Sequence, residues 1–63
     1  MSGNLILGRR IGERVLLGKS LDDMNIAVSV VRIDGNTVKL SFSAPEEVVI
    51  LREEVYEREM EGE

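Results

Sequence analysis

A chain of 63 residues with no cysteine, no histidine and only two aromatic side chains, Phe42 and Tyr56, can build neither a disulfide framework nor a Cys/His zinc site. At this length folding removes only about 60% of the unfolded surface and one core rarely suffices, so the Val, Ile and Leu side chains are expected to be pooled between two copies, as an obligate homodimer. The net charge of −4 excludes bulk, sequence-blind attraction to nucleic acid, yet Arg9, Arg10 and Arg14 fall early and eight glutamates from Glu46 onward fall late, which leaves room for a local basic site.

The apolar runs fall far short of the ~20 residues of a bilayer span, and Met1-Ser2-Gly3-Asn4 does not resemble the start of a secretion signal. A soluble, cytoplasmic protein with no membrane partner is expected.

In chain order, the pattern predicts five short strands and one helix, an all-β chain closed by a short C-terminal helix. Leu5-Ile6-Leu7 opens a strand running to Arg10, and Gly12 marks a tight turn into a second at 14–17, which stops at Gly18. These two are expected to pair as a hairpin. Residues 19–25 are polar, carry Asp22-Asp23 and read as a loop. Residues 26–33 are rich in β-branched side chains, and Asp34-Gly35-Asn36 has the chemistry of a hairpin turn. In the return strand Val38, Leu40 and Phe42 alternate with Thr37, Lys39, Ser41 and Ser43, the period-two signature of a sheet with one buried face.

Pro45 cannot donate to a ladder and ends that strand. Residues 48–51, Val-Val-Ile-Leu, then form a strand that is apolar on both sides and needs cover on both. Glu53 and Glu54 suit the positive end of a helix of about eight residues, with Glu54 and Arg58 as a favourable i,i+4 pair. Its apolar residues, Val55, Tyr56 and Met60, are too few for it to stand alone, so it must dock. Residues 61–63 are expected to fray, and residues 1–63 to form one domain.

The inventory of side chains argues against catalysis. Without His or Cys, any general acid or base work falls to carboxylates, and the adjacent pairs Asp22-Asp23 and Glu46-Glu47 point to opposite faces or into solvent. Gly8, Gly12 and Gly18 lack the spacing of a phosphate-cradling loop. No enzyme activity, metal or cofactor is expected.

Taken together, Leu5-Ile6-Leu7, Arg9-Arg10, Gly12-Glu13, Gly18, Gly35-Asn36, Ala44-Pro45, Glu47-Val48 and Arg52-Glu53-Glu54-Val55-Tyr56 closely resemble the carbon storage regulator family, the bacterial CsrA/RsmA translational regulators. The resemblance runs in order through nearly the whole chain. It implies a strand-exchanged homodimeric β-sandwich or barrel, in which the first strand of one subunit lies beside the last strand of the other. It also implies binding of GGA motifs in single-stranded or hairpin-loop regions of mRNA, repressing translation or altering mRNA stability. Small regulatory RNAs carrying such motifs are the second implied partner. A protein antagonist, such as the flagellar assembly factor that sequesters some members, is a third.

Carried over residue by residue, the RNA surface would combine Leu7, Gly8, Arg9 and Arg10 of the first strand with Ala44, Pro45, Val48, Ile50 and Arg52 of the partner chain, giving two identical sites per dimer. An exposed sheet edge offers backbone groups to unpaired bases, and an arginine can reach a phosphate or a base edge. Arg52 is the leading candidate. Arg9 follows, whereas strand alternation turns Arg10 to the opposite face. Glu54 is placed to orient Arg52. Gly8 stands where the family usually has threonine, Ser43 where it has asparagine and Leu51 where it commonly has histidine. Residues 19–25 look like an insertion. The altered Gly8, Ser43 and Leu51, with the net negative charge, support an alternative, a protein-interaction module on the same fold that heterodimerises with a conventional relative or binds a protein antagonist and binds RNA weakly or not at all.

Overall fold

The computed structural model describes residues 3–62. Three strands, β1 (Arg14–Leu17), β2 (Ile26–Asp34) and β3 (Thr37–Ser43), form an antiparallel sheet in the order β1-β2-β3, and one helix, α1 (Glu53–Glu61), follows. Among the described residues no helix is long and apolar enough to cross a membrane.

The sheet is a meander because its turns are local. The β2/β3 hairpin closes on Gly35 and Asn36, with Asp34 opposite Thr37 and Gly35 in the left-handed region at φ +54°. That conformation costs glycine nothing and most other residues about 1–2 kcal/mol. Residues 18–25 link β1 to β2 as the expected loop, held by a turn in which the Asp23 N–H donates to the Ser20 carbonyl at 2.9 Å.

The register explains the two faces. Val15 lies opposite Val28 and Val28 opposite Phe42, while Val30 faces Leu40 and Ile33 faces Val38. Together with Leu17 and Ile26 these residues make one continuous apolar face. A bulge between Val30 and Arg32 keeps it continuous. The apolar phase 26, 28, 30 would otherwise continue to Arg32, and one extra residue moves Ile33 onto the apolar face and Arg32 onto the other. The opposite face carries Arg14, Ser29 and Ser41 in one row and Arg32 beside Lys39 in another. Arg32 is partnered on that face by Asp34 at 3.0 Å.

Two expected strands are absent from the sheet. Residues 5–10 and 48–51 form no strand and take no ladder partner, so the described residues hold three strands rather than five. Nor does the first segment pair with β1, whose outer edge carries no ladder among the described residues. The reason lies at residues 10–13. Gly12, at φ +92°, donates its N–H to the Val30 carbonyl at 2.8 Å, and Val30 donates to the Glu13 carbonyl at 3.2 Å. The turn is thereby fastened to β2, and residues 5–10 run on without forming a ladder with β1.

Helix α1 does not pack against the strands. Its N-terminal turn is acidic, as expected, and the Gly62 N–H donates to the Arg58 carbonyl at 3.0 Å to close its last turn. Glu61 is the last residue of the helix, while Glu63 lies outside the described residues. The expected Glu54–Arg58 pair does not form, because Glu54 turns back to Arg52.

No described hydrophobic residue is buried. The accessible surface is 6068 Å², against about 4,000 Å² for a compact monomer of this mass. The radius of gyration is 14.1 Å, where about 10.6 Å is usual for this length. The apolar face of the sheet is built but uncovered.

Candidate nucleic-acid interface

The candidate residues sit on two arms that leave opposite sides of the sheet. On the β1 side, Leu7, Gly8 and Arg9 line an open cleft of about 340 Å³ with Arg14 and Val15. Arg9 is tied down at every guanidinium nitrogen: Nε donates to the Gly8 carbonyl at 3.2 Å, Nη1 to the Arg14 carbonyl at 3.1 Å, and Nη2 lies 2.7 Å from Glu13 Oε1. That same carboxylate oxygen accepts from the Arg10 backbone N–H at 2.9 Å, and the Glu13 N–H donates back to the Arg10 carbonyl at 3.0 Å. Among the described residues, no carboxylate pairs with the Arg10 side chain.

On the β3 side the chain leaves Ser43 through Ala44 and Pro45, both half-buried, and the Val48 N–H donates to the Pro45 carbonyl at 3.0 Å to close a turn. Glu47 and Val48 then meet Gly18, Lys19, Asp23, Asn25 and Ile26 around a cleft of about 520 Å³, so the 18–25 loop lies beside the second arm. Ile50, Leu51 and Arg52 line a further cleft of about 500 Å³ with Val38, Leu40 and Phe42, the apolar side of β3.

Arg52 is the N-cap residue of α1, in extended backbone at φ −71° and ψ 151°, and its carbonyl accepts from the N–H groups of Val55 and Tyr56 at 3.1 Å each. The helix start therefore fixes where Arg52 departs. Its side chain makes one ion pair, Nε to Glu54 Oε2 at 3.1 Å, with the two side chains 79% and 62% exposed. An exposed pair of this kind is worth about 0–1 kcal/mol, so the guanidinium is readily released to a ligand. Glu54 thus lies both in the first turn of α1 and within ion-pair reach of Arg52.

Within one chain, then, Leu7, Gly8 and Arg9 come together, as do Ile50 and Arg52, but β2 separates the two groups. Val48 faces a third cleft with the loop. Reasoning from the sequence gave Glu13 no role beyond a place in the motif. Its signal was its position four residues after Arg9, a spacing normally read as a contact only on a helix.

Comparison with known proteins decides the family. The CsrA family model, described as a global regulator protein family, matches residues 5–61. The chain belongs to the CsrA family. A translational regulator CsrA of Thermotoga maritima is 45% identical over 53 residues, covering 84% of this chain and 58% of that protein. The translational regulators CsrA of Clostridioides difficile strain 630 and Clostridium acetobutylicum are 46% and 44% identical over 54 residues each, covering 86% of this chain and 70% and 67% of theirs. The matched region thus spans less than two thirds of the Thermotoga relative. Both candidate arms lie within the span that the CsrA model matches.

Proposed function

We infer that this chain is a post-transcriptional regulator that binds GGA motifs in single-stranded or hairpin-loop RNA, in mRNA and in small regulatory RNA, and so represses translation or alters mRNA stability in the cytoplasm. The observation that carries the reading is the pair of unpartnered arms, each bearing an arginine, on either side of an uncovered apolar sheet face. Relatives named translational regulators support it.

The working unit is a homodimer in which residues 5–10 of one chain lie beside residues 48–51 of the other. That exchange supplies the missing ladder partners and covers the apolar face, the need already visible in about 2,000 Å² of surplus surface. It also brings Leu7, Gly8, Arg9 and Arg10 of one chain to Ala44, Pro45, Val48, Ile50 and Arg52 of its partner, twice per dimer. Strand backbone at that seam reads the unstacked bases, and Arg52, held at the helix start with an exposed guanidinium, contacts phosphate or a guanine edge.

The test is fluorescence anisotropy of a labelled hairpin RNA with GGA in its loop, beside a CCA-loop control, with wild type and Arg52→Ala. Tight binding to the GGA loop alone, weakened about 5- to 150-fold in Arg52→Ala, is the expected result, the loss of one good base contact at about 1–3 kcal/mol. A folded dimer that binds neither RNA would overturn the regulator reading in favour of a protein-interaction module.

A further inference from the structure

The two arginines are held in ways that predict different jobs. Arg52 has one weak, exposed carboxylate partner. Arg9 has all three guanidinium nitrogens engaged within its own turn, and its ion pair with Glu13 is both short, at 2.7 Å, and partly shielded, with the side chains 38% and 40% exposed. Short charge-assisted bonds of this type are roughly twice as strong as neutral ones. Glu13 in turn holds the Arg10 backbone, and its own carbonyl is fastened to β2 through Val30. A single carboxylate therefore sets the path of the first arm and neutralises its first cation.

We propose that Glu13 is a positioning and specificity-determining residue of the RNA site: it locks Arg9 onto the 8–14 turn, so that Arg9 shapes the arm and is withheld from phosphate. This rests on the RNA-binding reading above. Sequence-blind attraction grows with each cation that meets a phosphate, so keeping Arg9 occupied lowers binding to RNA without the motif and leaves discrimination to the strand backbone and Arg52.

The salt dependence of binding separates positioning from phosphate contact. For single strands the slope of log K against log salt changes by about 0.7 for each phosphate neutralised, an extra loss of roughly 2.5-fold in affinity between 50 and 200 mM salt. The titrations use the full chain, the GGA hairpin and the CCA control, with wild type, Arg9→Gln, Glu13→Gln, the double variant, and Glu59→Gln as a matched charge change on α1. Arg9→Gln is expected to weaken GGA binding several-fold with the wild-type slope. Glu13→Gln is expected to steepen the slope by about 0.7 and to tighten the CCA control, so that discrimination falls. The double variant should return to the wild-type slope, and Glu59→Gln should keep it. A shallower slope in Arg9→Gln, or an unmoved slope in a folded Glu13→Gln, overturns the proposal while leaving the regulator reading intact. If Glu13→Gln does not fold, the Arg9→Gln slope alone decides. Failure of wild type to bind either RNA overturns both.

Discussion

The central meander and the two arms that flank it are built from similar residues and have opposite fates. β2 carries Ile26, Val28 and Val30, each half-buried, because β1 and β3 take both of its edges. Residues 5–7 and 48–51 are as apolar, yet Ile6 is 93% exposed and Val49 78%. Composition does not separate the regions; hydrogen-bond partners do. A strand is a relation between two segments, and residues 5–10 and 48–51 take no such partner in the sheet and remain arms. The meander thus holds the fold, and the arms carry what the fold displays.

The largest effect should come from breaking the centre of that contrast. Val30→Asp puts a carboxylate in the middle of the apolar face, opposite Leu40 and beside the bulge. In the covered core of the proposed dimer an unpaired charge there costs several kcal/mol, comparable to the entire stability of so small a fold. Loss of the cooperative thermal transition by circular dichroism, with loss of the dimer by sedimentation, is expected. A folded dimer with near-wild-type melting would show that this face is not the core.

A smaller loss is expected where the loop meets the meander. A Cβ built on Gly18 falls onto the carbonyl group of Asp23 and the Cα of Met24, all backbone atoms that cannot swing aside. Gly18→Ala must therefore push the 18–25 loop away from β1 at about 1–3 kcal/mol. For a domain of this size each kcal/mol lowers Tm by about 4–8 °C, readily measured by calorimetry. Because Glu47 and Val48 line the same cleft, this variant should also disturb the second arm.

How much of this was legible in the sequence follows the same division. The hairpin was, because Asp34-Gly35-Asn36 and the alternation at 37–43 are local signals. So were the turn at Gly12, the loop at 19–25 and a helix from Glu53. The bulge escaped notice, although its trace is the apolar phase slipping from Val30 to Ile33. Adjacency in sequence predicts pairing of residues 5–10 with 14–17, but adjacency in the sheet differs, since Gly12 and Glu13 bond instead to Val30. At the candidate site, the arginines were found from the family pattern, but the partners of Arg9 depend on the turn geometry and could not be read from spacing alone.

The smallest predicted effect sharpens the comparison from the side of the arms. Gly8 has no positive φ and no atom within 4 Å of a built Cβ, so nothing in the chain's own packing requires glycine there. Gly8→Thr, the residue that the family resemblance implies at this position, fits without strain. By narrowing the unfolded ensemble it should raise stability by about 0.4–1 kcal/mol. If the first arm lies against RNA, the added hydroxyl also offers one new hydrogen bond, worth about 0.5–1.5 kcal/mol, or roughly 2- to 12-fold tighter binding to the GGA hairpin with no gain for the CCA control. A meander substitution such as Gly18→Ala moves stability first and binding second. Gly8→Thr should move binding by as much as stability, and a gain in Tm with unchanged GGA affinity would place residue 8 outside the interface.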